Sequence, residues 1–139
     1  MNTRHKGNIA VAHAIAYFST NGYSVFLPVG DAGGAIDILV SPDNLEIKRV
    51  QCKYTTRRHQ AALERYPDKP IWDVSISRYS KENTNGLATK CEYSDSSFDL
   101  LFVTTPDGNY LIDWKAYCAE IGKLPHNLRI GQKMAKWKI

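Results

Sequence analysis

An aspartate stands inside an otherwise apolar run, Ala35-Ile36-Asp37-Ile38-Leu39-Val40, and a second strand-like stretch, Ile47 to Tyr54, follows across the connector Ser41-Pro42-Asp43-Asn44-Leu45-Glu46. Two such runs around a connector rich in turn residues predict a β-hairpin. A hairpin centred near Asn44 or Leu45 sets position 37 opposite positions 51 to 53. Side chains alternate across a strand, so Gln51 and Lys53 share one face while Val50, Cys52 and Tyr54 take the other. A carboxylate among apolar neighbours is costly unless it is paired or bound to a metal. Asp37 therefore needs a partner, and Lys53 is placed to be one. A structural Asp37–Lys53 ion pair and a reactive centre account for this spacing equally well.

The rest of the chain supplies a frame for that hairpin. Ile9, Val11, Ala12, Ala14, Ile15, Ala16 and Phe18 recur at three- and four-residue steps and predict a helix over 8–21, stopped at Gly22. Strands are expected over 23–28, 35–40, 47–54 and 72–77, with a short helix over 60–66 and a polar loop over 80–89. A second hairpin, 98–104 with 110–114, turns at Pro106-Asp107-Gly108-Asn109. A helix over 115–121 follows, ended by Gly122. The tail Lys136-Trp137-Lys138-Ile139 alternates like a terminal strand, with Trp137 directed into a core or interface. Helices mixed with strands in this order predict an α/β fold bordering on α+β, with a mixed sheet.

At 139 residues and 43% apolar composition, the chain has material for one core, and a single domain over 1–139 is expected. No apolar stretch approaches the roughly 20 residues of a membrane span, and the polar start Met1 to Gly7 does not look like a signal peptide. The three cysteines, Cys52, Cys91 and Cys118, are unevenly spaced. Reduced thiols in a cytoplasmic protein fit them better than disulfides or a zinc site. The net charge of +4 is modest, but its distribution is uneven. Lys48, Arg49, Lys53, Arg57 and Arg58 have no acid among them, and Lys123, Arg129, Lys133, Lys136 and Lys138 follow the last acid, Glu120. Both runs can face phosphates, and both can also be ordinary solvated surface.

Phosphodiester hydrolysis gives the hairpin residues definite roles. Asp37 can hold a magnesium ion by hard oxygen ligation, with the Gln51 side-chain carbonyl and the Cys52 backbone carbonyl as neutral ligands. Mn2+ is an alternative ion at such donors. Lys53 can orient the attacking water or offset charge that builds on the phosphate. The loop Gly30-Asp31-Ala32-Gly33-Gly34 lacks the Lys-Ser/Thr ending of a phosphate-binding loop and is discounted.

These residues fall within a wider series of landmarks: Lys6-Gly7-Asn8-Ile9-Ala10 before the apolar helix, Asn21-Gly22-Tyr23, Leu27-Pro28-Val29-Gly30-Asp31, Ile36-Asp37-Ile38 and Val50-Gln51-Cys52-Lys53. The series resembles the PD-(D/E)XK nuclease superfamily, in particular its small branch containing a cyanobacterial group I intron homing endonuclease. The resemblance is clear from about residue 5 to residue 56 and looser through the second hairpin. It implies a restriction-endonuclease-like core, with a central mixed sheet flanked by helices, that cuts double-stranded DNA with a divalent metal. Asp37 matches the metal-binding aspartate, Gln51 the position usually glutamate but glutamine in this branch, and Lys53 the catalytic lysine. Homodimers or homotetramers are implied as well, since two strands need two symmetry-related sites.

One position departs from the branch: the helix glutamate that usually follows the Lys-Gly start is Val11, which cannot ligate a metal. His13 is turned away from that position on the helix, and Asp31 reads first as a turn residue. DNA contacts are expected from Lys6, Thr55, Thr56, Arg57, Arg58, His59, Arg78 and Lys81. The resulting expectation is a sequence-specific DNA endonuclease of homing type. A Holliday junction resolvase, a repair or restriction nuclease, and a catalytically weakened DNA-binding module are the alternatives.

Overall fold

Asn2 begins the first helix by accepting the His5 backbone N–H on its side chain at 2.8 Å. That cap explains why the helix starts at Thr3, well before the apolar periodicity becomes visible at Ile9. The computed structural model describes residues 2–29, 34–80, 89–92 and 94–139, with side chains for all of these except 77–80 and 89–92. In chain order the elements are helix α1 (Thr3–Thr20), strands β1 (Ser24–Phe26), β2 (Ile38–Ser41) and β3 (Lys48–Tyr54), and helix α2 (Gln60–Arg65). Strands β4 (Trp72–Ser75), β5 (Ser77–Ser80), β6 (Thr89–Glu92), β7 (Leu100–Thr105) and β8 (Gly108–Asp113) follow. Helix α3 (Trp114–Ile121), strand β9 (Asn127–Ile130) and a 3-10 helical turn (Gln132–Trp137) close the chain.

The fold is α/β, built on a mixed sheet of order β1-β2-β3-β7-β8. Its strands pair antiparallel except β3 and β7, which run parallel with Val50 beside Leu100. Arg49 and Asp99 fix that register. The Asp99 carboxylate accepts both the Arg49 backbone N–H at 2.7 Å and its guanidinium at 3.2 Å, while the Asp99 N–H returns a bond to the Arg49 carbonyl at 2.9 Å. Burial works to raise the Asp99 pKa, but the bonds from Arg49 outweigh it and hold the carboxyl below its usual range.

The two faces of the sheet carry separate cores. On one, Ala10, Ala14 and Phe18 of α1 lie four residues apart and pack on Ile38, Val40, Val50, Cys52 and Phe102. Two alanines let the helix approach the sheet closely, and Phe18 meets Tyr23 and Phe102 at ring-centroid distances of 5.1 and 6.2 Å. On the other face, Leu101, Val103, Tyr110 and Ile112 pack against Trp114 and Cys118 of α3 and against the small sheet formed by β4 and β9. No helix among the described residues is long and apolar enough to cross a membrane.

Several expectations are corrected. The expected terminal strand is instead a 3-10 turn, with only a single bridge from Lys138 to Tyr110. Three residues per turn bring Met134 and Trp137 to the same side, and both pack on the second core. Trp137 therefore has the packing role expected of it through a different backbone. The polar stretch near 80–89 is flanked by the paired strands β5 and β6, and its middle, 81–88, lies outside the described residues. The strand expected over 35–40 begins only at Ile38, for a reason that belongs to the site.

Candidate active site

The β2–β3 hairpin turns where the sequence places it. Asp43 Oδ1 accepts the Leu45 and Glu46 N–H groups at 2.9 Å each, and Asn44 adopts a left-handed φ of 62°. The pairs Ile38–Val50 and Val40–Lys48 then extend to bring Asp37 alongside Gln51. Asp37 donates its N–H to the Val50 carbonyl at 2.9 Å. Its side chain takes over the next rung, as Oδ2 accepts the Cys52 N–H at 2.8 Å. A carboxylate thus occupies the place of a ladder carbonyl, which is why regular strand geometry starts one residue later.

Gln51 is 5% exposed. Its Nε2 donates to Asp37 Oδ2 at 2.9 Å and, more weakly, to the Cys52 carbonyl at 3.3 Å. With its nitrogen between two acceptors, the amide leaves Oε1 buried and without a hydrogen-bond partner. Turning the amide over would bring Oε1 against the Asp37 carboxylate, an arrangement that becomes favourable once a cation lies between them. Asp37 Oδ2 and the Cys52 carbonyl flank the Gln51 amide, which carries a third oxygen, and hard oxygen donors of this kind suit magnesium or manganese. On the evidence of that orphaned oxygen, the residues fit a divalent ion. Among the described residues, no three His, Cys, Asp or Glu side chains form a metal-binding group. The donor set here consists of one carboxylate and two neutral oxygens.

Lys53 lies two residues beyond Gln51 and is half-buried on the same face. Burial lowers its pKa, and the nearby Asp37 charge opposes that shift without cancelling it. The Cys52 thiol faces the α1 core, where burial raises its pKa strongly and Asp37 adds to the shift. It remains a protonated, inert thiol, so Cys52 can serve the site only through its backbone.

Val11 packs against the α1-side cluster that contains Cys52. His13 is exposed, with Nδ1 3.4 Å from Asn109 Oδ1 on β8. Asp31 lies outside the described residues.

The expected DNA-contact residues separate into distinct settings. Thr55 is 6% exposed, and its hydroxyl donates to the Asp73 carbonyl at 2.7 Å while accepting the Arg57 N–H at 3.1 Å. Arg58 donates to the Pro67 and Lys69 carbonyls at 3.2 and 3.4 Å and lies 5.6 Å above the Trp72 ring, so it holds the turn after α2. Thr56 and Arg57 are exposed, with Arg57 3.9 Å from Asp73. His59 is half-buried at the start of α2, and Lys6 is half-buried on α1. Arg78 is on β5, where side chains are not described, and Lys81 lies outside the described residues. Arg129 and Lys133, expected only as part of a basic tail, line a surface groove with His59. The alternation of Asn127-Leu128-Arg129-Ile130 was the signal for that strand.

A sequence profile described as PD-(D/E)XK endonuclease matches residues 1–120. Among solved structures, a bacterial homing endonuclease, I-Ssp6803I, aligns with a TM-score of 0.69 over 95% of this chain and 80% of that one, at 17% sequence identity. At that identity the likeness is one of fold. No curated protein sequence matches the chain.

Proposed function

The chain belongs to the PD-(D/E)XK endonuclease family, and on that premise we propose that it is a metal-dependent, sequence-specific endonuclease of double-stranded DNA, of homing type. The observation that carries this reading is the convergence of Asp37, the Gln51 amide and the Cys52 backbone, joined by hydrogen bonds of 2.8–3.3 Å, with Lys53 on the same face. The structural neighbour whose description is a homing endonuclease supports the choice within the family. A cytoplasmic location accords with two buried, unpaired thiols, Cys52 and Cys118.

Asp37, Gln51 Oε1 and the Cys52 carbonyl would hold Mg2+, or Mn2+ in its place. When bound, the ion supplies Lewis-acid polarisation of the phosphate and of a water. Lys53 contributes its ammonium, held by the strand at a fixed position beside Asp37, to the charge that accumulates on the phosphate oxygens. The buried amide and carbonyl keep bulk water away from one side of the donors. Incubating the protein with supercoiled DNA is expected to give nicked and then linear product with Mg2+ and none with EDTA. Cuts mapped across a target library should cluster at one extended site. Cleavage confined to branched junctions would favour a resolvase, and a short recurrent site would favour a restriction or repair role.

A second reading is a weakened DNA-binding module, favoured by Val11 lying in apolar packing where the branch has a carboxylate. Tight duplex binding in EDTA without cleavage in Mg2+ would support it.

A homodimer or homotetramer follows from the need to cut both strands, and the sheet edge is suited to pairing. Strand β1 is an edge strand, and Phe26 at its end and Leu27 and Val29 just beyond it are 47, 60 and 99% exposed without an intervening charge. Phe26→Glu is expected to shift the light-scattering mass toward the monomer. An unchanged mass would place the interface elsewhere.

A further inference from the structure

The segment leaving the catalytic strand joins a second, strongly basic layer. Asp73 donates its N–H to the Arg57 carbonyl and His59 donates its N–H to the Ile71 carbonyl, each at 2.8 Å, with Arg58 bridging Trp72 between them. On the other side of β4, Asp73 pairs with Arg129 and Trp72 with Ile130. Three extended segments therefore lie side by side. Alternation sends Trp72 and Ile130 into the core and leaves Arg57, His59 and Arg129 on the outer face, together with Asp73, whose carboxylate lies 3.9 Å from Arg57.

Between this face, α2 and the 3-10 turn runs a groove of about 460 Å3, lined by His59 and by the cations Arg65, Lys69, Arg129 and Lys133, with no carboxylate. Among the described residues, no acid stands within ion-pair distance of Arg65, Arg129 or Lys133. The contrast with the adjoining groove, of about 480 Å3, is informative. That groove shares Lys69, Ile71, Gly131 and Gln132 but carries Asp68 and Asp107, and Asp107 already accepts the Trp72 indole N–H at 2.6 Å. The basic tail is thereby divided. Arg129 and Lys133 enter the acid-free groove, Lys138 lines the mixed one, and Lys136 is paired with Glu120 at 2.6 Å.

We propose that the acid-free groove is a phosphate cradle that grips the DNA backbone beside the cleavage point. The inference rests on the nuclease reading above and extends it to residues contributed by α2, β9 and the 3-10 turn. His59 follows Lys53 by six chain steps, a reach of at most about 22 Å. One strand of a duplex advances about 3.4 Å per phosphate, so the cradle meets phosphates within about six nucleotides of the one cut. Point charges over an apolar floor containing Tyr66 and Ile71 suit sequence-independent backbone contact rather than base readout.

The test compares the full chain with Arg129→Gln/Lys133→Gln and with Lys115→Glu, which makes the same net change of charge on exposed α3 outside the groove. Each binds a labelled mixed-sequence duplex in EDTA, titrated from about 50 to 200 mM salt. The groove variant should lose about 1 unit of log–log salt slope per residue replaced, while Lys115→Glu keeps the wild-type slope. A wild-type salt dependence with equal slopes in both variants overturns the cradle and leaves the nuclease reading standing. Absence of salt-dependent duplex binding by the wild type overturns both.

Discussion

Asp37→Asn is expected to reduce Mg2+-dependent cleavage at least ~10³-fold, about 4 kcal/mol of activation free energy, while leaving a folded protein. The change removes the only carboxylate in the donor set and keeps the side chain's shape. Its carbonyl oxygen can still accept the Cys52 N–H that Asp37 Oδ2 now accepts at 2.8 Å. The same oxygen still accepts the Gln51 amide, which donates to Oδ2 at 2.9 Å, and the new NH2 group takes the place of Oδ1. Both wild-type bonds to that oxygen are thereby kept, and only what Oδ1 accepts is given up. The stability cost is then about that of one hydrogen bond, ~1 kcal/mol, or a few degrees in melting temperature. A structural Asp37–Lys53 ion pair predicts otherwise. Breaking a buried pair from one side costs about 3–5 kcal/mol, so the variant would melt far earlier or fail to fold, with activity lost in proportion to folded protein. Nicking of supercoiled DNA and thermal melting of the same preparation separate the two accounts.

The sequence reading captured the hairpin because its register needs only local information. The turn residues around Asn44 fix which positions face each other, and alternation assigns Gln51 and Lys53 to one side. It could not show that Asp37 substitutes its carboxylate for a ladder carbonyl, since the same residue in the same run also fits a regular strand. Long-range pairings were less accessible. The parallel match of β3 with β7 depends on the Arg49–Asp99 clasp, and the pairing of β4 with β9 joins segments more than fifty residues apart. Tertiary pairing also decided the fate of the basic residues. Thr55 and Arg58 are engaged in hydrogen bonds that hold the chain leaving β3, and β9 brings Arg129 beside His59. Charge counted along the chain could not distinguish those settings. The tail reads as a strand from alternation, yet Met134 and Trp137 are also three apart, and packing selected the 3-10 period.

Lys53→Met is expected to lower cleavage by about 10²–10³-fold, the usual cost of deleting one positioned electrostatic contact at a reacting centre, without lowering stability. Methionine retains a flexible, unbranched chain of similar reach and removes the ammonium. Burial is the larger influence on Lys53 and lowers its pKa, while attraction to Asp37 only partly restores it. The charged lysine therefore opposes folding on balance. Between the lowered folded value and the unfolded value of 10.5, the unfolded chain binds more protons, so wild-type stability rises with pH through that window. Below the window the burial penalty is fully present. Lys53→Met has no such group, so in EDTA it should melt at or above the wild-type temperature near neutral pH. The wild type should then gain on it as pH climbs toward the unfolded value. A variant that melts well below the wild type at neutral pH would show that Lys53 is held for stability, and an unchanged cleavage rate would remove it from the reaction. Retained stability with lost cleavage is the pattern of a side chain held at a folding cost for its charge, at the point where Asp37 and Gln51 converge.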